Sequence, residues 1–156
     1  MSRSGAELAL LFLGSYRKLV DAAIRELAAR GYDDVRPVHD FAMRAIDSGA
    51  DNASELGRRM SVSKQAAAKT IATLLERGYV ARDTDPADAR RKRIKVTPLG
   101  FAVMREGEAI FDNLRAECES QLGKEELAVL EAQLTALVGD SPVRLEAPGW
   151  VAQDLG

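Results

Sequence analysis

Residues 52–97 read NASELGRRMSVSKQAAAKTIATLLERGYVARDTDPADARRKRIKVT, and this stretch decides the fold. Asn52 is a predicted N-cap with Glu55 three residues later, a capping-box arrangement in which each side chain would bind the other's backbone amide, and it predicts a short helix ending near residue 60. A second helix is predicted over residues 63–77, with Gly78 as its C-terminal stop. Its apolar face consists of Ala67, Ile71 and Leu74. Two helices joined by so short a turn predict a helix-turn-helix.

The second half of the stretch changes its period. Residues 79–82 and 93–96 alternate apolar with polar side chains, which favours two strands. Residues 83–92 between them are dense in charge, and Asp85-Pro86 is a turn signal, so a hairpin loop is predicted there. A helix-turn-helix followed by a charged hairpin is a winged helix.

Helical patterns flank this segment on both sides. Two helices are predicted before it, over residues 7–30 and from Pro37 to Ser48-Gly49. The predicted apolar stripe of the second consists of Val38, Phe41, Ala42, Ala45 and Ile46. Two more are predicted after it, from Thr97-Pro98 to about Leu122 and over residues 125–138. The fold class is therefore mainly α with a small β-hairpin wing, containing six helices and two to three short strands. The first, fifth and sixth helices carry more apolar residues than one core needs, which indicates a second surface for a partner subunit.

The domain organisation follows from this pattern. Residues 35–97 form the predicted winged helix-turn-helix, and residues 1–34 and 98–156 form a helical dimerisation region. From Gly139 onward the periodicity is lost, so the tail is either disordered or an arm packed on a partner, with Trp150 and Val151 favouring the arm.

Composition limits the class of protein, the compartment and the cofactors that can be expected. The chain has 156 residues, 46% of them hydrophobic and 5% aromatic, which suits one compact helical domain or two lobes that share a core. No apolar run is long enough to span a bilayer, so no membrane partner is expected. A single cysteine, Cys118, cannot form an internal disulfide, which favours the cytoplasm. With one histidine, His39, the chain offers no metal-ligand cluster, and no cofactor is predicted.

The charge is unevenly distributed. The whole chain carries −2, but residues 52–98 alone carry +6 and the remainder −8. A cationic block inside an acidic protein is typical of a surface that binds a polyanion. Charge alone is equally compatible with a solvated basic face.

Several motifs in the segment resemble the multiple-antibiotic-resistance regulator (MarR) family. The motifs are the runs at residues 54–56, 61–65 and 74–80, the Asp85-Pro86-Ala87-Asp88-Ala89-Arg90 wing, and Thr97-Pro98-Leu99-Gly100. The resemblance implies a bacterial transcription regulator that dimerises through its terminal helices, commonly a repressor. It also implies release by a small-molecule effector bound between the dimerisation lobe and the reading lobe.

Candidate contacts to double-stranded DNA lie on the second helix of the helix-turn-helix. In this motif the N-terminal part of the helix reads the major groove. Gln can pair with adenine, and Lys can donate to guanine acceptors. The predicted major-groove residues are Ser63, Lys64, Gln65, Ala66 and Lys69. Ser61 and Ser63 are expected N-caps, and a hydroxyl there can also reach a phosphate.

The wing supplies a second set of candidates. Arg90 resembles the family's tip arginine, which enters the minor groove, and Asp88 would orient that region by a charged hydrogen bond. Predicted phosphate contacts are Ser61, Arg82, Arg91, Lys92 and Arg93. A polar turn without DNA contact is the alternative for this run.

An effector site is harder to assign. The candidates are Tyr16, His39, Met43 and Phe101, although residues of these types in such positions are more often core or surface residues than ligand contacts. Cys118, midway along the fifth helix, is interpreted as a packed small hydrophobe.

The sequence thus predicts a homodimeric repressor that binds a pseudo-palindromic operator through residues 63–77 and the wing at 83–92. An enzyme is disfavoured because no Gly-rich phosphate loop, nucleophile elbow or metal cluster is present. A winged helix used for protein interaction or for non-specific DNA architecture is the other alternative.

Overall fold

The computed structural model of the chain describes residues 4–139. Six helices and one antiparallel hairpin make up this part. In chain order they are α1 (Gly5–Ala29), α2 (Pro37–Asp47), α3 (Ala53–Met60), α4 (Lys64–Glu76), β1 (Val80–Asp85), β2 (Asp88–Val96), α5 (Pro98–Leu122) and α6 (Lys124–Val138). The predicted fold class is confirmed, with two strands in the described part of the chain. The predicted tail beyond Gly139 lies outside the described residues.

Side-chain caps fix the helix starts. Ser4 Oγ accepts a hydrogen bond from the Glu7 amide, and the Glu7 carboxylate accepts one from the Ser4 amide, so α1 begins two residues before the predicted position. Asn52 caps α3 as predicted, with its Oδ1 2.9 Å from the Glu55 amide. The reciprocal half of that capping box was wrong, because the Glu55 carboxylate binds Arg58 and Arg59 instead.

The hairpin is longer than predicted. The predicted loop at residues 83–92 was wrong: strand pairing continues to Asp85 and Asp88, leaving Pro86 and Ala87 as the turn. Most side chains at the far end of the hairpin are exposed on both faces. Without a buried face these residues have no apolar alternation, so the pattern that identifies a strand is missing from the sequence.

One hydrophobic core runs through the molecule. A cluster of buried side chains extends from Ala23 and Leu27 of α1, through α2, α3 and α4, to Ile110 and Leu114 of α5. The predicted apolar stripe of α2 needs one correction, because Phe41 is exposed while Met43 and His39 are buried. The helix is rotated so that His39, whose ring nitrogen has a hydrogen-bond partner, takes an inner position.

The terminal helices leave much of their apolar surface uncovered. Only Val20, Ala23 and Leu27 of α1 are buried, and only Leu127 of α6. The exposed large apolar residues of these two helices are Leu8, Leu10, Leu11, Phe12, Tyr16, Leu19, Val129, Leu130, Leu137 and Val138. None of the described helices is long and apolar enough to cross a membrane.

Candidate nucleic-acid interface

The turn between α3 and α4 is tightly built. Ser61 has the positive φ of +54° at the C-terminus of α3, so the prediction that it is an N-cap was wrong. Gly57 lies against this turn, where an added Cβ would be 2.9 Å from the Val62 carbonyl oxygen. Ser63 is the N-cap of α4 as predicted, with Oγ 3.0 Å from the Ala66 amide. The close packing fixes the direction in which α4 leaves the turn.

The first turns of α4 present a polar, open face. Ala67, Ile71 and Leu74 are buried as predicted, and Lys64, Gln65 and Lys69 are exposed. No ion pair within residues 4–139 involves Lys64 or Lys69. The small exposed side chains of Ala66 and Ala68 allow a ligand to approach the helix closely.

Most cations of the hairpin are already engaged within the protein. Lys95 Nζ is 3.1 Å from Asp83 Oδ2, and Arg93 Nη2 is 3.7 Å from the same oxygen. The hydrogen bond from Lys95, with a further one from the Thr84 amide, holds the pKa of Asp83 below its usual value. Lys92 Nζ donates to Thr84 Oγ1 at 3.1 Å. Cross-strand pairs of opposite charge therefore stabilise the exposed part of the hairpin.

Arg91 is the most strongly engaged cation of the hairpin. Its guanidinium is 2.8 Å from Asp51 Oδ1 and 3.5 Å from Asp85 Oδ2. Asp51 lies just before α3, 40 positions earlier in the chain, so this pair joins the hairpin to the helix-turn-helix. Sequence reasoning missed Asp51, because no local pattern reports a contact at that separation.

Arg90 differs from its neighbours. Within the described residues its guanidinium has no ion-pair or hydrogen-bond partner, and the side chain is exposed beside the turn. Asp88 Oδ1 accepts a hydrogen bond from the Arg90 amide at 3.0 Å, so the carboxylate orients the backbone and leaves the guanidinium available. Arg82 on β1 is exposed and likewise has no ion pair in this part of the chain.

The four predicted effector residues occupy different environments. Met43 is fully buried in the core, and Tyr16 lies on the exposed side of α1. His39 Nδ1 accepts a hydrogen bond from the Arg36 amide at 2.9 Å. Burial of His39, reinforced by the nearby Arg77 charge, lowers its pKa below the usual value. Phe101 lines an open groove with Ile46, Arg93 and Lys95.

An apolar cavity between α1, α2 and α5 is small. It measures about 30 Å³ and is lined by residues that include Leu27, Val35, Val103 and Phe111. Pockets for drug-sized ligands typically measure ~300–1,000 Å³. A small molecule can enter there only if α1, α2 and α5 move apart.

Comparison with known proteins identifies the segment. Residues 42–91 match the family model described as MarR family. This part of the chain is therefore similar in sequence to the MarR family. The resemblance predicted from the motifs is therefore confirmed for α3, α4 and most of the hairpin.

Solved MarR-type structures match over most of the chain. The reduced form of MarR from E. coli is 22% identical, with a TM-score of 0.70 over 89% of this chain and 99% of that one. FabT of Streptococcus pneumoniae in complex with DNA is 18% identical, with a TM-score of 0.68 over 86% and 94%. MepR of S. aureus bound to ethidium bromide is 20% identical, with a TM-score of 0.60 over 83% and 93%. The flanking helices thus share the MarR-type fold as well.

Proposed function

We propose that this chain is a homodimeric repressor that binds a pseudo-palindromic operator in double-stranded DNA. The N-terminal half of α4 would read the major groove, and Arg90 at the hairpin turn would enter the adjacent minor groove. The observation that carries the proposal is a set of exposed cations whose side chains have neither an ion pair nor a hydrogen bond within residues 4–139: Lys64, Lys69, Arg82 and Arg90. By contrast, Arg91, Arg93 and Lys95 are paired within the protein.

The similar solved structures and the charge distribution support DNA binding. FabT has been solved in complex with DNA, and it shares the fold over 86% of this chain. The +6 charge of residues 52–98 against −8 elsewhere would turn the winged helix toward the phosphate backbone and turn the terminal helices away from it. Since its target would be a bacterial chromosome, we place the protein in the cytoplasm.

Two copies are needed for this role. A single winged helix covers one half-site, and specific affinity requires two half-sites related by a two-fold axis. The uncovered apolar residues of α1 and α6 supply a surface for that association. In this proposal residues 35–97 read DNA, and residues 1–34 and 98–156 form the dimer.

The proposed function includes release of the operator when a small-molecule effector binds. MepR has been solved with ethidium bromide, a planar aromatic cation, which supports a ligand-responsive role for this type of protein. Here the gap between α1, α2 and α5 is nearly closed, so a ligand bound there would have to separate the lobes. Such a movement would change the distance between the two α4 helices and lower operator affinity.

Site selection from random duplex DNA tests the function. We expect enrichment of a pseudo-palindrome whose half-sites lie about one helical turn apart. Fluorescence anisotropy at fixed salt should give a ratio of at least ~10³ between the selected site and a scrambled duplex of equal composition. Enrichment without symmetry, with a ratio near one, would favour the non-specific architectural role; failure to bind duplex DNA would favour a protein-interaction module.

A further inference from the structure

Asp51 binds the hairpin at two points. Its backbone carbonyl oxygen accepts a hydrogen bond from the Ile94 amide at 2.9 Å. Its side-chain Oδ1 accepts one from Arg91 Nη2 at 2.8 Å. The segment just before α3 is therefore joined to β2 by both main chain and side chain.

The same contacts continue in both directions. On one side, Asn52 Nδ2 donates to Asp51 Oδ1 at 3.1 Å, and Asn52 also caps α3. On the other side, Arg91 Nη1 lies 3.5 Å from Asp85 Oδ2, and Asp85 Oδ1 accepts the Ala87 amide in the turn at 2.9 Å. A continuous series of polar contacts thus runs from the N-terminus of α3 to the hairpin turn.

We propose that Arg91 is a positioning residue that fixes the hairpin against the helix-turn-helix through Asp51 and Asp85. The inference rests on the proposed function, and it changes the role predicted for Arg91 from the sequence, which was a contact to a DNA phosphate.

Charge and burial favour this role. The side chains of Asp51 and Asp85 are 22% and 15% exposed, so both carboxylates are held mainly by protein groups. A guanidinium that faces two carboxylates brings no net positive charge to a phosphate. Lys92, the next residue along β2, interacts with a neutral hydroxyl and keeps its charge.

The contacts of Arg91 would hold the hairpin at a fixed angle to α4. The hairpin and α4 must enter neighbouring grooves together, so the angle between them decides whether both contacts form. A hairpin that is held in the bound orientation before DNA arrives avoids the entropic cost of ordering it on binding. Loss of Arg91 should therefore weaken binding at the selected site without removing a phosphate contact.

Salt-dependent binding separates positioning from phosphate contact. We expect Arg91→Ala and Asp51→Asn each to weaken binding to the selected site roughly three- to fivefold. The slope of log affinity against log salt should stay at the wild-type value. The matched control Lys92→Ala should flatten that slope by about one unit, since it removes a cation that faces no carboxylate in the described part of the chain.

Asp51→Asn gives the sharpest result. It removes a negative charge near a polyanion, so electrostatics alone would tighten binding, whereas loss of positioning weakens it. Unchanged or tighter binding by Asp51→Asn, or a slope flattened by about one unit in Arg91→Ala, would overturn the proposal.

Amide hydrogen exchange tests the contact without DNA. In the free, full-length protein, Arg91→Ala should speed exchange at the Ile94 amide, which is bonded to Asp51, while Lys92→Ala should not. Equal protection of Ile94 in wild type and Arg91→Ala would overturn the positioning role. If wild type fails to bind duplex DNA, the proposed function fails, and the exchange result still decides the role of Arg91.

Discussion

At the scale of single residues, ion pairs with carboxylates decide which cations remain available for the proposed contacts to DNA. Arg90 and Arg91 are neighbours on β2 with the same chemistry, yet Arg91 faces Asp51 and Asp85 while Arg90 has no ion pair within residues 4–139. The Asp88 carboxylate binds the Arg90 backbone amide, which fixes the backbone that carries the free guanidinium. A count of basic residues cannot make this distinction, because it depends on carboxylates distant in sequence.

We therefore predict that Arg90→Ala weakens operator binding by about 10- to 100-fold, the range for loss of a groove contact. Fold and dimer should be unaffected, because the exposed guanidinium has no ion pair or hydrogen bond within residues 4–139. Fluorescence anisotropy at fixed salt measures the change. Arg105→Ala, which removes an exposed arginine from α5, is the control and should bind like wild type. Wild-type affinity in Arg90→Ala would contradict the assignment of the wing.

His39 gives a residue-scale prediction about pH. Burial first, then the Arg77 charge and, more weakly, that of Arg36, lower the pKa of His39, while Asp34 opposes them. The unfolded chain, with a pKa near 6.5, therefore binds the proton more readily than the folded chain does. Stability should be independent of this group above pH ~6.5 and should fall as the pH drops below it.

Urea unfolding between pH 7.5 and 5.5 measures this effect. His39 is the only histidine of the chain, and the carboxylates with lowered pKa values titrate at more acidic pH. His39→Asn keeps an acceptor near the Arg36 amide and removes the titration. Its midpoint should change less over this interval than that of wild type. Equal pH dependence of the two proteins would show that His39 is not responsible.

At the scale of elements, the start of α5 is clamped to the junction between α4 and β1. Thr97 Oγ1 donates to the Gly78 carbonyl at 2.6 Å and accepts the Gly100 amide at 3.1 Å. Gly100 packs so closely that an added Cβ would collide with the Tyr79 carbonyl oxygen and lie 2.8 Å from Val96 Cγ1. This contact fixes the hairpin at its base, opposite the end held by Arg91.

Gly100→Ala should therefore destabilise the protein by about 1–3 kcal/mol, the cost of forcing a group into a packed site. Gly107→Ala on the same helix is the matched control. Its nearest neighbour would be Asp40 Oδ1 at 3.8 Å, and gain of helix propensity should stabilise by ~0.5–1 kcal/mol. Denaturant unfolding measures both. A neutral Gly100→Ala would mean that the α5 start can shift without cost.

The helices and strands also show which parts of the fold could be predicted from the sequence. Every helix was predicted to within two residues, because caps such as Asn52, Ser63 and Thr97 and the stop at Gly123 are local signals. The outer half of the hairpin was missed, since it is held by cross-strand ion pairs such as Lys95 with Asp83. Such pairs leave no periodic trace in one strand. The exposed face of α4 could be predicted from its buried face, whereas the partner of Arg91 could be identified only from the fold.

At the scale of the whole molecule, charge and apolar surface are separated. The winged helix carries the positive charge, and the remainder is acidic. The large apolar side chains with the greatest exposed fraction lie on α1 and α6: Leu10 is 65% exposed and Leu137 is 72% exposed. Burial of such residues away from water is favourable, and a second copy of the same helices would cover them symmetrically. Because it would be acidic, that dimer lobe would stand away from the DNA while directing two basic surfaces toward it.

We accordingly predict that wild type sediments as a species of twice 16.9 kDa, and that Leu10→Glu combined with Leu137→Glu shifts it toward the monomer. Placing a carboxylate in an apolar interface adds desolvation and like-charge repulsion to the loss of contact, so the dissociation constant should rise by at least ~100-fold. Sedimentation velocity over a dilution series gives the mass.

Leu99→Glu, which alters an exposed leucine at the start of α5, is the control and should remain dimeric. The double variant should also lose specific operator binding, because one winged helix holds only one half-site. A double variant that stays dimeric would show that the apolar faces of α1 and α6 are not the surface that joins the two copies.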